Sequence, residues 1–294
     1  MSGVRVLGVP IDSVGGHIGT VFGPGALRAA GIVEALHAED LGDLEVVIEP
    51  PVRDPVTGIV GAASVLRTTE VVRDATAEHA DPDGRLVLLG GCCTLAVGAI
   101  AGLKRRVGDL GVVYVDGHLD LYDGRTSPSG EAADMPLAVA LGIGPDAWVE
   151  AAGDEPLVRA DDVALLGFRD LEEARGYGSV TPDDLPGLMA WSTDDLRAGG
   201  FADAGAEAAT KVTRDGKPFF AFLDIDVLDE SVCPNDAPVP DGIDWPDLTE
   251  LLTPVVGDPA CLGIALACFN PERDPDGVTA SRLVQLVRDV VPSD

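Results

Sequence analysis

The chain has 294 residues, of which 20 are Lys or Arg and 50 are Asp or Glu, for a formal net charge of −30. So acidic a surface repels nucleic acid and anionic membranes, which excludes both as partners, while a cationic small molecule would be drawn inward. With 46% hydrophobic residues the length suffices for one large core, and a single domain over residues 1–294 is expected.

The charge itself is read as a solubility feature of the surface rather than as a site. No basic N-terminal segment precedes an apolar run, and no apolar stretch is long enough to span a bilayer, so a cytoplasmic location is expected. The five cysteines, Cys92, Cys93, Cys233, Cys261 and Cys268, fit neither CxxC pairs nor a secreted disulfide framework. They are expected to be reduced thiols with local roles.

In chain order, strand-length apolar runs occur at Val4 to Val9, Leu86 to Leu89, Val112 to Val115, Val163 to Leu166, Phe219 to Leu223 and Leu262 to Leu266. Runs that are apolar at nearly every position belong to strands covered on both faces. Between them the patterns predict helices near 24–37, 60–80, 93–105, 203–214, 245–256 and 279–291. The resulting fold class is a three-layer α/β sandwich with a mostly parallel central sheet. Gly and Pro cluster after the strands, as at Gly90-Gly91 and Pro234 to Pro240, where α/β sheets place ligands. Residues 170–200 read as loops with one short helix and could carry specificity.

Two of these strands end in acids. Asp116-Gly117-His118-Leu119-Asp120 comes directly after Val112 to Val115, and alternation along an extended tip predicts that Asp116, His118 and Asp120 share one side. Asp224-Ile225-Asp226 comes after Phe219 to Leu223 and offers two more carboxylates on one face. Four carboxylates and one imidazole brought together repel strongly unless a cation compensates them. One Asp-x-Asp alone is a common turn or cap, but two acidic motifs that each end a buried strand point to a metal site. Oxygen-rich ligation with one imidazole suits Mn²⁺ better than a structural zinc.

Over nearly its full length the chain resembles the arginase/agmatinase family, the ureohydrolases. Gly8-Val9-Pro10 with Gly23-Pro24-Gly25-Ala26-Leu27-Arg28-Ala29-Ala30-Gly31 is similar to the family's first strand and helix. Gly90-Gly91-Cys92-Cys93 stands in the place of GGDH, Asp116 to Asp120 of DAHxD, Leu166 to Asp170 of GxRD, Asp224 to Asp229 of DxDxLDP, and Asn270-Pro271 of the closing NP. The resemblance implies one ion on Cys93, Asp116, Asp120 and Asp224 and another on Asp116, His118, Asp224 and Asp226, with Asp116 and Asp224 bridging. It further implies hydroxide attack between the ions on the carbon of a guanidino or amidino group, Asp120 carrying a proton to the leaving amine, and a homo-oligomer, trimeric or hexameric.

The sequence also departs from that pattern. Cys93 replaces a histidine ligand and Cys92 the aspartate before it; a thiolate there favours Zn²⁺ or a similar ion over Mn²⁺, and the alternative is a small buried residue beside an emptied position. In Ser129-Gly130-Glu131-Ala132-Ala133-Asp134 the usual histidine is Ala133, and the acid that would clasp a guanidinium is Cys268. Glu131 and Asp134 are then the catalytic-site candidates to hold a cationic substrate, while the proton-shuttling role of the missing histidine has no obvious owner. Ser129, Tyr122, Glu172 and His17 complete the expected substrate-facing set, and the Tyr122 and Glu131 positions argue against L-arginine itself. Two main readings stay open: a metal-dependent hydrolase of linear C–N bonds, and a family member that keeps the fold but serves in binding or assembly. Mononuclear amide hydrolysis, as in histone-deacetylase-like relatives, would need a general-base histidine that the sequence does not offer.

Overall fold

The computed structural model describes residues 3–13, 19–153 and 155–292. Its strands are β1 (Val4–Val9), β2 (Glu39–Asp43), β3 (Arg85–Gly90), β4 (Gly111–Val115), β5 (Val163–Leu166), β6 (Met189–Trp191), β7 (Phe219–Asp224) and β8 (Cys261–Ala267). They form one sheet in the order β2-β1-β3-β8-β7-β4-β5-β6, and every pairing is parallel. Every carboxyl end therefore lies along the same edge, and the ends of β3, β8, β7 and β4 are consecutive neighbours there.

Alternation along each strand sorts side chains into two cores, as period-two geometry requires. Leu86, Leu88, Val112, Tyr114, Phe220 and Phe222 join one, while Val87, Leu89, Val113, Val115, Ala221 and Leu223 join the other. Residues of α3 (Ala62–His79), α4 (Leu95–Val107), α5 (Pro136–Ala140) and α6 (Asp146–Ala152) pack on the first face. Those of α1 (Gly23–Ala29), α2 (Ile32–Ala35), α8 (Thr193–Gly199), α9 (Phe201–Val212), α10 (Trp245–Val256) and α11 (Val278–Val290) pack on the second, and α7 (Leu171–Tyr177) turns Ala174 to the first. Covered on both sides, β4 and β7 are buried at every position. None of the described helices is long and apolar enough to cross a membrane.

All six expected strands form, and the expected α/β sandwich is observed. The helix expected over 24–37 is instead broken in two, because Gly31 adopts φ 93° between α1 and α2, a conformation open to glycine. Two edge strands were not expected. β2 (EDLGD) carries three acids in place of an apolar run, and Arg5 and Arg28 pair with them; β6 has only three residues, all half-buried, within the segment read as loops. That segment also holds two helices, α7 and α8, rather than one.

Behind β3 the chain approaches other backbone closely. Gly91 N donates to Val9 O at 2.8 Å and Cys92 N to Ile11 O at 2.9 Å. A Cβ on Gly91 would lie 1.9 Å from the Ile11 carbonyl oxygen, so only glycine fits. Gly91→Ala should therefore displace the Cys92-Cys93 turn and cost about 2 kcal/mol or more, measured as a fall in the urea midpoint with unchanged slope.

Candidate metal centre

At the carboxyl ends of β4 and β7 the two acidic motifs meet, though not as extended tips. Asp120 adopts φ 53°, in the left-handed region that aspartate tolerates, and Asp226 lies in a tight 3-10 turn over Ile225–Val227. Bonds from the backbone fix the carboxylates: His118 N donates to Asp116 Oδ1 at 2.7 Å, Gly117 N to Asp226 Oδ1 at 3.0 Å, and Asp226 N to Asp224 Oδ1 at 3.0 Å. His118 Nδ1 stands 3.0 Å from Asp226 Oδ2 and 3.6 Å from Asp116 Oδ1. Asp116, His118 and Asp226 offer ligand atoms that all lie within 4.8 Å of one another.

Electrostatics make it costly to ionise all of these acids together. Burial first, then neighbouring carboxylates, push Asp116, Asp120 and Asp224 well above the ordinary range. Burial opposes charge on Asp226 and His118 too, but their mutual attraction outweighs it, holding Asp226 low and raising His118. Asp116 Oδ2 is buried with no hydrogen-bond partner among the described residues. A buried carboxylate oxygen without a partner costs about 1–3 kcal/mol or more, and a bound cation is the natural remedy.

Tyr114 and Arg169 contribute to this centre in ways that their sequence positions did not announce. Tyr114 is a fully buried residue within β4, stacked on Phe222, and its hydroxyl donates to Asp120 Oδ2 at 2.6 Å. An unexplained hydroxyl in an otherwise aliphatic strand was the available signal. Arg169 donates to the carbonyls of Asp226 at 2.7 Å, Val227 at 3.0 Å and Gly167 at 3.1 Å. It therefore clamps the turn that carries Asp226 through its backbone, a role for the Arg169-Asp170 pair that the motif alone did not reveal.

Cys93 lies among sulfurs. Cys92, Cys93 and Cys268 bring their Sγ atoms within 4.8 Å of one another, with Cys92 and Cys93 at 3.6 Å. Bonds from Cys268 and then Cys93 hold Cys92 well below the ordinary thiol range, while Cys93 is pushed well up by its bond to Cys268 and then by Cys92, and Cys268 is pushed up chiefly by Cys92. Cys93 Sγ also donates to the Ala133 carbonyl at 3.5 Å, and Cys268 bonds to Asp224.

Beside both clusters lies a cavity of about 530 Å³, lined in part by Glu131, Asp226, Cys92, Cys268, Asp236 and Asn270. Its wall is acidic: Arg273 is the basic residue there, and it is ion-paired with Asp236. Asp12 and Ser13, just past β1, also line it; two polar residues at a strand's carboxyl end were the overlooked signal. Ser13 Oγ donates to Glu131 Oε2 at 3.4 Å, and Glu131 is pushed up to about 6 by burial, Asp134 and Cys92.

Asp134, Ser129, Tyr122 and Glu172 are not part of the lining of this cavity. Asp134 accepts from Ser127 and, at 2.6 Å, from Ser129, whose Oγ also receives the Glu131 N–H at 2.9 Å. Tyr122 is buried edge-on to Tyr177 at 6.4 Å, and its hydroxyl is pushed up by burial and then Asp170. Glu172 is exposed on α7 and paired with Arg175 at 2.5 Å, outside the cavity lining. His17 lies outside the described residues.

Comparison with known proteins agrees with this architecture. The model of the arginase family matches residues 2–291. The arginase of Brevibacillus brevis is 30% identical over 98% of this chain and 97% of its own, and that of Bacillus subtilis 31% over 80% and 77%. Among solved structures, the Bacillus caldovelox arginase superposes with a TM-score of 0.87 at 25% identity, covering 100% of this chain and 99% of its own. A formimidoylglutamase from Bacillus subtilis, 20% identical, shares the fold at a TM-score of 0.72, covering 99% of this chain and 86% of its own. The chain therefore belongs to the arginase family.

Arg169→Ala should free the Asp226 turn and weaken divalent-metal affinity about 10–100-fold, read by Mn²⁺ titration. For Glu131 the raised pKa contributes stability that is present below its ordinary 4.5 and lost as pH rises through about 6. The group is only half-buried, so solvent screening limits the effect to under about 1 kcal/mol. Glu131→Gln should remove that component, so the difference in urea midpoint between wild type and variant should change sign or size between pH 4.5 and pH 7.

Proposed function

We propose that this chain is a divalent-metal hydrolase that cleaves a C–N bond of a guanidino, amidino or related linear compound. The observation that carries the reading is the buried Asp116, whose Oδ2 lacks a partner at the centre of a cluster of acids and one imidazole. Asp116, His118, Asp224 and Asp226 would hold one ion of the Mn²⁺ class, and Asp120 completes the oxygen donors for a second. Such an ion supplies Lewis-acid polarisation and acidifies water at neutral pH.

The protein's own groups would do the rest. Glu131, ionised above about pH 6 and steadied by Ser13, clasps the cationic end of the substrate within the acidic cavity. Asp134 and Ser129 act at one remove by fixing the turn that presents Glu131. Tyr114 engages Asp120 Oδ2, so a proton for the leaving amine would travel on Oδ1. An acidic wall also disfavours substrates bearing a free carboxylate, which argues for amines and amidines over L-arginine.

A second reading, a binding or assembly protein that retains the fold, is favoured by Ala133 and Cys268 at positions where the resemblance implies a histidine and an acid. The test is metal content and Mn²⁺ stoichiometry, then urea or ammonia release from a panel of guanidines and amidines. Turnover that disappears in Asp226→Asn together with bound metal supports the hydrolase, and full metal loading with no turnover across the panel supports the second reading. Chelation should also lower unfolding stability by about 2.7 kcal/mol relative to protein held with metal at a hundredfold excess over its Kd.

A further inference from the structure

Beside the carboxylate cluster, at the carboxyl ends of β3 and β8, three thiols converge from two distant parts of the chain. Cys92 and Cys93 lie between β3 and α4, and Cys268 comes directly after β8. Their Sγ atoms lie within 4.8 Å of one another, and all three line or adjoin the same cleft edge. Cys268 reaches this position with φ 66°, a left-handed backbone that strains a non-glycine residue, and its N–H is tied to the Gly91 carbonyl at 2.6 Å. The strand ends are thus locked together with their sulfurs facing each other.

We propose that Cys92, Cys93 and Cys268 form a separate site for a thiophilic cation of the zinc class, unlike the ion that the neighbouring acids would take. Zn–S bonds of about 2.3 Å in tetrahedral array require sulfurs about 3.8 Å apart. Cys92 and Cys93 are already at 3.6 Å. Thiolates select Zn²⁺, Cd²⁺ or Cu⁺ and discriminate against Mn²⁺, which prefers the carboxylate oxygens next door. Each thiol that binds gives its proton to solvent, and three thiolates around a dication carry one net negative charge. The N-terminus of the 13-residue α4, directly after the Cys92-Cys93 turn, favours that charge. Asp224, hydrogen-bonded to Cys268, offers a fourth, oxygen ligand and would join the thiol site to the acid site. The cleft then sorts two ions by ligand softness, and this does not depend on whether the carboxylate centre turns over any substrate.

Cadmium titration of the reduced, chelator-stripped full chain tests the site, because Cd²⁺ on thiolates gives a near-ultraviolet charge-transfer band. One equivalent should develop the band, a large excess of Mn²⁺ should not displace it, and Cys268→Ser or Cys93→Ser should weaken binding more than about tenfold. Asp226→Asn, which disables the acid cluster alone, should leave the band in place. Should a serine variant fail to fold, protection of the wild-type cysteines from alkylation by Cd²⁺ reads the same binding. The proposal is overturned by a reduced wild type with no band, by a band indifferent to Cys268→Ser, or by three cysteines alkylated equally fast with and without Cd²⁺.

Discussion

Like charges that a parallel sheet forces together set the terms for the rest of this structure. Because every strand runs in one direction, the residues just past β4 and β7 are delivered to the same place, and in this chain those residues are acids. Asp116, Asp120, Asp224 and Asp226 are all buried, so water cannot screen them. Backbone bonds from His118 and Asp226 within their own turns, and from Gly117 across to Asp226, hold the oxygens in position against that repulsion, and the His118 imidazole offsets part of it.

The same topology divides the cleft chemically. Moving along the edge from β4 through β7 to β8 and β3, the donors change from oxygen and imidazole to sulfur. Hard and soft donors thus sit side by side, bridged at Cys268 and Asp224. A family whose resemblance implies two similar ions would in this chain be presented with two dissimilar half-sites.

Much of this was legible in the amino-acid order because the carrying signals are local. Doubly covered strands must be apolar throughout, and acids placed directly after them can only fall at the carboxyl edge, so β4 and β7 with the acids and the histidine at their ends could be read directly. The features that escaped such a reading depend on the third dimension. β2 is acidic because an edge strand needs no apolar face on its solvent side, and its pairing to β1 is visible only once Arg5 and Arg28 are seen reaching across. Cys268 is far in sequence from Cys92, and only the adjacency of β8 and β3 joins them. Arg169 acts through carbonyl oxygens, which carry no residue identity, so its partners had no sequence signature at all.

The two outermost strands also bear on how the molecule behaves among copies of itself. An uninterrupted parallel sheet this apolar would be an inviting template for added strands if its margins were long and neutral. One margin is instead a five-residue strand studded with carboxylates, and the other is only three residues long. Edge-to-edge approach would therefore meet charged side chains already held by Arg5 and Arg28 on one side and too few free backbone groups on the other, both of which disfavour adding a strand from another copy.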